Sequence, residues 1–134
     1  MRILVDTNVL FSALLFPKSK PAQALLYIVQ NHKMVLCEQN ISELRDILQR
    51  KAPEKLPVMD VFLNALAYDL IPAIDYIAKP IRDGKDQPIL NAAIFYEVDV
   101  ILTGDKDFLC LNLDYPKCMN VSEFMNREGI VFLE

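Results

Sequence analysis

Short apolar runs alternate along this chain with longer amphipathic ones, and acidic residues stand just past them or at their mouths. Ile3-Leu4-Val5 is followed by Asp6, and Ile101-Leu102-Thr103-Gly104 by Asp105. Apolar runs of this length, bounded by polar residues, read as buried strands. Strands that alternate with helices imply a parallel sheet covered on both faces. The carboxyl ends of parallel strands share one edge, and open α/β folds build their sites there. Glu43 in Ser42-Glu43-Leu44 and Asp86 in Lys85-Asp86-Gln87-Pro88 stand at the mouths of helix-like runs. The four acids would therefore converge, and converging carboxylates hold a hard cation such as Mg²⁺ or Mn²⁺.

The pattern predicts strands at Ile3–Val5, Met34–Cys37, Val98–Thr103 and Lys117–Val121, with a further strand at Ile130–Leu133. Helices are expected over Asn8–Phe16, from Pro21 to Asn31, over Ile41–Lys51 behind an Asn40–Glu43 capping box, and over Val58–Leu70. Asp86 is expected to cap a helix from Pro88 to Glu97, and Ser122 one that Gly129 ends. Ile71–Ile77 leads into a polar turn at Lys79–Lys85, and Phe108–Leu113 forms a short turn or helix. No linker, repeat or low-complexity tract divides the chain, so residues 1–134 read as a single domain.

Composition narrows the function classes. With 53% hydrophobic and 24% charged residues the chain can bury a real core. No apolar run approaches the roughly 18 residues of a membrane span. Asp6 and Asn8 interrupt the apolar N-terminus, which reads as a strand and helix and not as a signal peptide. Cys37, Cys110 and Cys118 show no C-x-x-C spacing, so reduced thiols in a cytoplasmic protein are expected. The net charge of −4 argues mildly against a nucleic-acid partner, unless bound metal neutralises several acids.

Each acid also has a plain explanation. Asp6, Glu43 and Asp86 lie at expected helix starts, where carboxylates satisfy free N–H groups, and Asp105 suits a turn. Taken together they are harder to explain that way. Two carboxylates about 5 Å apart repel by roughly 3 kcal/mol at an effective dielectric near 20. A cluster of them needs a cation or raised pKa values. Thr7, Asn8 and Thr103 could orient Asp6 and Asp105 as hydrogen-bonding neighbours. Lys18, Lys20, Arg45, Lys79, Arg82, Lys85 and Lys106 could form a positive rim for phosphates. One histidine, His32, rules out a two-histidine acid/base nuclease. With no nucleophile elbow, phosphate loop or dinucleotide motif, the plausible reaction is metal-activated water attacking a phosphodiester.

Ile3-Leu4-Val5-Asp6-Thr7-Asn8-Val9-Leu10, Ser42-Glu43-Leu44-Arg45-Asp46-Ile47-Leu48, Asp83-Gly84-Lys85-Asp86 and Ile101-Leu102-Thr103-Gly104-Asp105-Lys106-Asp107-Phe108 resemble PIN domains, in the expected order and over nearly the whole chain. The match is closest to PIN proteins that are toxins of prokaryotic toxin–antitoxin pairs. The resemblance implies a three-layer α/β sandwich with a parallel five-stranded sheet. It implies a Mg²⁺- or Mn²⁺-dependent ribonuclease acting on single-stranded RNA, a homodimer, and often a small antitoxin partner. It carries over Asp6, Glu43, Asp86 and Asp105 as the acidic core, with Asp107 as a further metal ligand and Asp83 as an accessory residue. Thr7, Asn8 and Thr103 match the polar positions, and Arg45, Arg82, Lys85 and Lys106 are the candidates for RNA contact. Gln87 departs from the pattern, where relatives often carry another acid.

Two other classes remain open at this point. A non-catalytic PIN-like module would bind RNA or protein, although an intact acidic quartet argues against it. A receiver domain or a phosphatase with Asp-x-Asp after its first strand shares the α/β class, but this chain has Asp6-Thr7-Asn8 there.

Overall fold

The computed structural model describes residues 1–75 and 79–133. Strand β1 (Arg2–Val5) leads through helices α1 (Thr7–Leu15) and α2 (Lys20–Asn31) to β2 (Lys33–Cys37). Helix α3 (Glu38–Lys51), a 3₁₀ turn (Pro53–Lys55) and α4 (Leu56–Ala65) lead on to β3 (Tyr68–Ile71). After them come α5 (Gln87–Phe95), β4 (Val100–Leu102), α6 (Lys106–Leu109), β5 (Lys117–Met119) and α7 (Val121–Glu128).

The five strands form one parallel sheet in the order β3-β2-β1-β4-β5. At its centre Leu4 of β1 lies beside Val35 of β2 and Ile101 of β4. The chain builds outward from β1 to β3, then returns to the other side of β1. The order therefore reverses between β1 and β4, and a crevice opens beyond their carboxyl ends.

Strand residues alternate between two cores, as the pleat requires. Ile3, Val5, Met34, Leu36, Val100 and Leu102 pack against one layer, which includes Leu10, Leu25, Leu44, Met59 and Phe124. Leu4, Val35 and Ile101 face the other layer, with Ile89, Leu90 and Phe108. This is the three-layer α/β sandwich that the alternation predicts. No disulfide forms, and none of its helices is long and apolar enough to cross a membrane, among the described residues.

Several expected boundaries move. The helix expected to run to Leu70 ends at Ala65, and Tyr68–Ile71 is a strand. Leu63, Leu66, Ala67 and Leu70 have helical spacing, but the Met34–Tyr68 to Cys37–Ile71 ladder with β2 overrides it. Asp69 on this edge strand meets Arg2 and Lys33, a charged edge that discourages further strand pairing. The expected strand at Ile130–Leu133 does not form. Gln23 occupies Leu133 instead, donating to its carbonyl at 2.7 Å and accepting from its N–H at 3.1 Å. The segment expected to run from Ile71 to Ile77 lies partly outside the described residues.

Two caps also move. Helix α3 begins at Glu38, not at Ile41. Asn40 lies inside its first turn and folds back to accept from the Cys37 N–H at 3.0 Å. Asn120, not Ser122, caps α7 in a reciprocal box with Glu123. Gly129 ends that helix at φ 69°, a left-handed position that suits glycine.

Candidate metal centre

Asp6 and Thr103 directly follow the paired residues Val5 and Leu102, so the register of β1 and β4 sets them side by side. The Asp6 N–H donates to the Leu102 carbonyl at 2.9 Å, extending the ladder into the crevice. The Asp6 carboxylate is buried, and it accepts from the Thr7 N–H and from the Thr103 hydroxyl, each at 2.8 Å. The same Thr103 oxygen accepts from the Asp105 N–H at 3.0 Å. One threonine thus ties both strand-end acids into a single arrangement. Asp105 caps α6, accepting from the Asp107 N–H at 2.9 Å.

Glu43 reaches the crevice from α3. Because that helix starts at Glu38, Glu43 sits beyond its first turn and does not cap it. The Thr7 hydroxyl donates to one carboxylate oxygen at 3.4 Å, and Gln39 donates to the other at 2.9 Å. Buried Asn40 donates to the Thr7 hydroxyl at 3.1 Å, so a relay from Asn40 through Thr7 aims Glu43. Gln39 was not foreseen from the sequence, and Asn40 was expected there only as a helix cap. The Gln39–Glu43 spacing of one helical turn was the available signal.

Asp86 precedes α5 but makes no side-chain cap, and its backbone is helical at φ −86° and ψ −12°. Its Oδ2 is buried and has no hydrogen-bond partner among the described residues. Burial, followed by the negative charges of Asp6 and Asp105, pushes its pKa up to about 8. Burial likewise raises Asp6 to about 6, against the opposing hydrogen bonds from Thr103 and Thr7. Burial and nearby Asp6 push the Cys118 thiol up to about 11.

Among the described residues, the acids whose oxygens cluster closely enough to hold one ion share only Asp86 with the expected quartet of Asp6, Glu43, Asp86 and Asp105. Asp83, Asp86 and Asp107 each offer an oxygen, all within 4.8 Å of one another. The Arg82 guanidinium holds Asp107 at 2.9 Å. Asp86 therefore stands between the strand-end acids and the Asp83–Asp107 side. The donors are all carboxylate oxygens, and one of them is buried without a partner. That set fits a hard divalent cation.

The remaining sequence candidates divide. Lys85 lines a cleft of about 590 Å³ beside Glu43. Lys106 is exposed next to Asp105. Arg45 is exposed on α3, two positions from Glu43 and so on roughly the opposite side of the helix. Asn8 is exposed and lines a separate cleft of about 290 Å³ with Gly104 and Asn120. Among the described residues it makes no side-chain hydrogen bond to Asp6 or Asp105.

Gln87 is taken up by partners other than the acids. Its amide donates to the Lys79 carbonyl at 2.9 Å and to Asn91 at 2.8 Å, and accepts from the Ile81 N–H at 3.1 Å. It holds the segment that carries Arg82 and Asp83. Gln87→Glu removes both donors and sets a carboxylate against two oxygens. We expect it to destabilise the fold by about 1–3 kcal/mol in urea denaturation near neutral pH. A stability equal to that of the parent would show that the Gln87 latch contributes nothing.

A family model described as PIN domain matches residues 2–107. No curated protein matches the chain. Among solved structures, the chain is similar to a crystal structure of VapBC2 from Rickettsia felis bound to a DNA fragment from their promoter. The TM-score is 0.71 at 17% identity, covering 90% of this chain and 98% of that one. At that identity the likeness speaks for the fold.

Proposed function

The chain belongs to the PIN-domain family, and on that premise we propose that it is a Mg²⁺- or Mn²⁺-dependent endoribonuclease that cleaves single-stranded RNA. The observation that supports this reading is the buried Asp86 oxygen, unpartnered among the described residues and set near Asp83 and Asp107 and within the field of Asp6 and Asp105. Without a counter-charge this arrangement is costly, and its two raised pKa values report that cost.

Asp6, Glu43, Asp86 and Asp105 would hold the cation, with Asp107 a further ligand and Asp83 an accessory one. When bound, a divalent cation supplies Lewis acidity and lowers the pKa of a water at the scissile phosphate. The chain's own residues do the positioning. Thr103 fixes Asp6 and the Asp105 backbone, and Thr7 and Gln39 fix Glu43. Lys85, Lys106 and Arg82 offer positive charge at the rim, where phosphates of a single strand would lie. His32 takes no part in this reading. It ends α2, before the amino end of β2, and pairs with Glu128.

The same reading assigns the protein a toxin role in a toxin–antitoxin pair, with a homodimer and a small antitoxin as partners. The PIN-family resemblance supports it, and the fold shared with VapBC2 is consistent with it. The test is incubation of end-labelled single-stranded and duplex RNA with Mg²⁺, with Mn²⁺, and with EDTA. Cleavage confined to the single strand and to the metal-containing reactions is expected. Cleavage that persists in EDTA would overturn the metal-dependent reading.

A further inference from the structure

A cleft of about 590 Å³ opens directly from Glu43, within the roughly 300–1,000 Å³ range of small-ligand sites. One wall is a face of α3, where Glu43, Asp46, Ile47 and Arg50 recur at helical spacing over roughly 10 Å. Lys85 and Pro88 form the other wall. Gln39 donates to the Lys85 carbonyl as well as to Glu43, so it joins the two walls at the metal-centre end. Ion pairs among the described residues join Arg2 and Lys33 to Asp69, His32 to Glu128, and Arg82 to Asp107. Asp46, Arg50 and Lys85 are in none of them, so no close ion pair ties up these cleft-lining groups, and Asp46 and Arg50 stand one helical turn apart on the same wall.

We propose that this cleft seats the base next to the scissile phosphate, and that Asp46 selects guanine there. The proposal rests on the nuclease reading above. Arg50 and Lys85 suit the flanking phosphates. Ile47 and Pro88 offer a flat apolar surface to a base. Among the described residues no aromatic side chain lines the cleft, so hydrogen bonding to the base edge sets the preference there. An ionised Asp46 only accepts hydrogen bonds. Guanine alone presents two adjacent donors, N1–H and the 2-amino group, on its Watson–Crick edge. Adenine and cytosine set an acceptor beside their amine, which repels the second carboxylate oxygen, and uracil offers one donor between two acceptors.

The test has two arms. In EDTA, where cleavage is off, fluorescence anisotropy compares binding of a labelled oligouridine with one carrying a single guanine. In Mn²⁺, cleavage positions are mapped on a mixed-sequence single-stranded RNA. Wild type is expected to prefer guanine in both arms, and Asp46→Asn to lower that preference roughly tenfold. Arg50→Ala should weaken binding of both oligonucleotides alike and flatten the salt dependence. Metal-dependent cleavage whose base distribution is unchanged by Asp46→Asn would overturn the proposal and leave the nuclease reading standing. Guanine-selective binding that Asp46→Asn removes, with no cleavage by wild type, would support the cleft as an RNA site and overturn the nuclease reading.

Discussion

Asp6→Asn is expected to lower the single-turnover rate of RNA cleavage by about 10²–10³-fold or more, while the protein folds as before. The substitution keeps the shape of a side chain that is almost fully enclosed. An amide can still accept from the Thr7 N–H, and its NH₂ can donate to the Thr103 hydroxyl oxygen. What it removes is the negative charge at the point where β1 and β4 deliver their acids to one crevice. Cleavage of labelled single-stranded RNA in Mn²⁺, read beside a thermal melt, separates the two effects. A variant with near-wild-type cleavage would remove Asp6 from the site. A variant that fails to melt cooperatively would make Asp6 a structural residue.

Asp86→Asn is expected to raise the stability of the metal-free protein by about 2 kcal/mol near pH 8, with the gain fading toward about pH 4. The folded-state pKa of Asp86 is raised to about 8, well above its ordinary carboxyl value of 3.8. Between those values the folded protein keeps a proton that the unfolded chain releases. Stability of the wild type therefore falls as pH rises through that window, and is not penalised below it. Asp6, raised to about 6, adds a similar fall over the lower part of the range in both proteins. Because the two carboxyls interact, the difference between the proteins reports Asp86 together with its coupling to Asp6. Urea denaturation in EDTA at the two ends of the window measures it. If Asp86→Asn proves less stable at the alkaline end, the carboxylate is a structural partner and the repulsion account fails.

The sequence made the core strands and the strand-end acids legible for a physical reason. A central strand of a parallel sheet is buried on both faces, so Ile3–Val5 and Val100–Leu102 are continuous apolar runs. Polar residues immediately after such runs lie on the sheet's carboxyl edge. The edge strand Tyr68–Ile71 left no such trace, because only Ile71 is buried and its residues continue the helical spacing of α4. The start of α3 was misplaced because the Asn40–Glu43 spacing imitates a capping box. In the fold Asn40 turns back to Cys37 and reaches Thr7, which leaves Glu43 free of capping and within reach of the Thr7 hydroxyl. The cleft was not legible at all. Its walls come from α3 and from the segment before α5, and only the tertiary structure sets Asp46 and Arg50 opposite Lys85 and Pro88.

The most direct test of the central claim is Mn²⁺ binding to wild type and to Asp86→Asn, followed by the loss of the free-ion electron paramagnetic resonance signal. At least one tightly held Mn²⁺ per wild-type chain is expected, with binding roughly tenfold weaker or more once the unpartnered carboxylate is lost. Added Mn²⁺ should then also stabilise wild type more than the variant, reversing their metal-free order. A wild-type protein that leaves the Mn²⁺ signal untouched, or a variant that binds the ion as tightly, would contradict a metal centre built around Asp86.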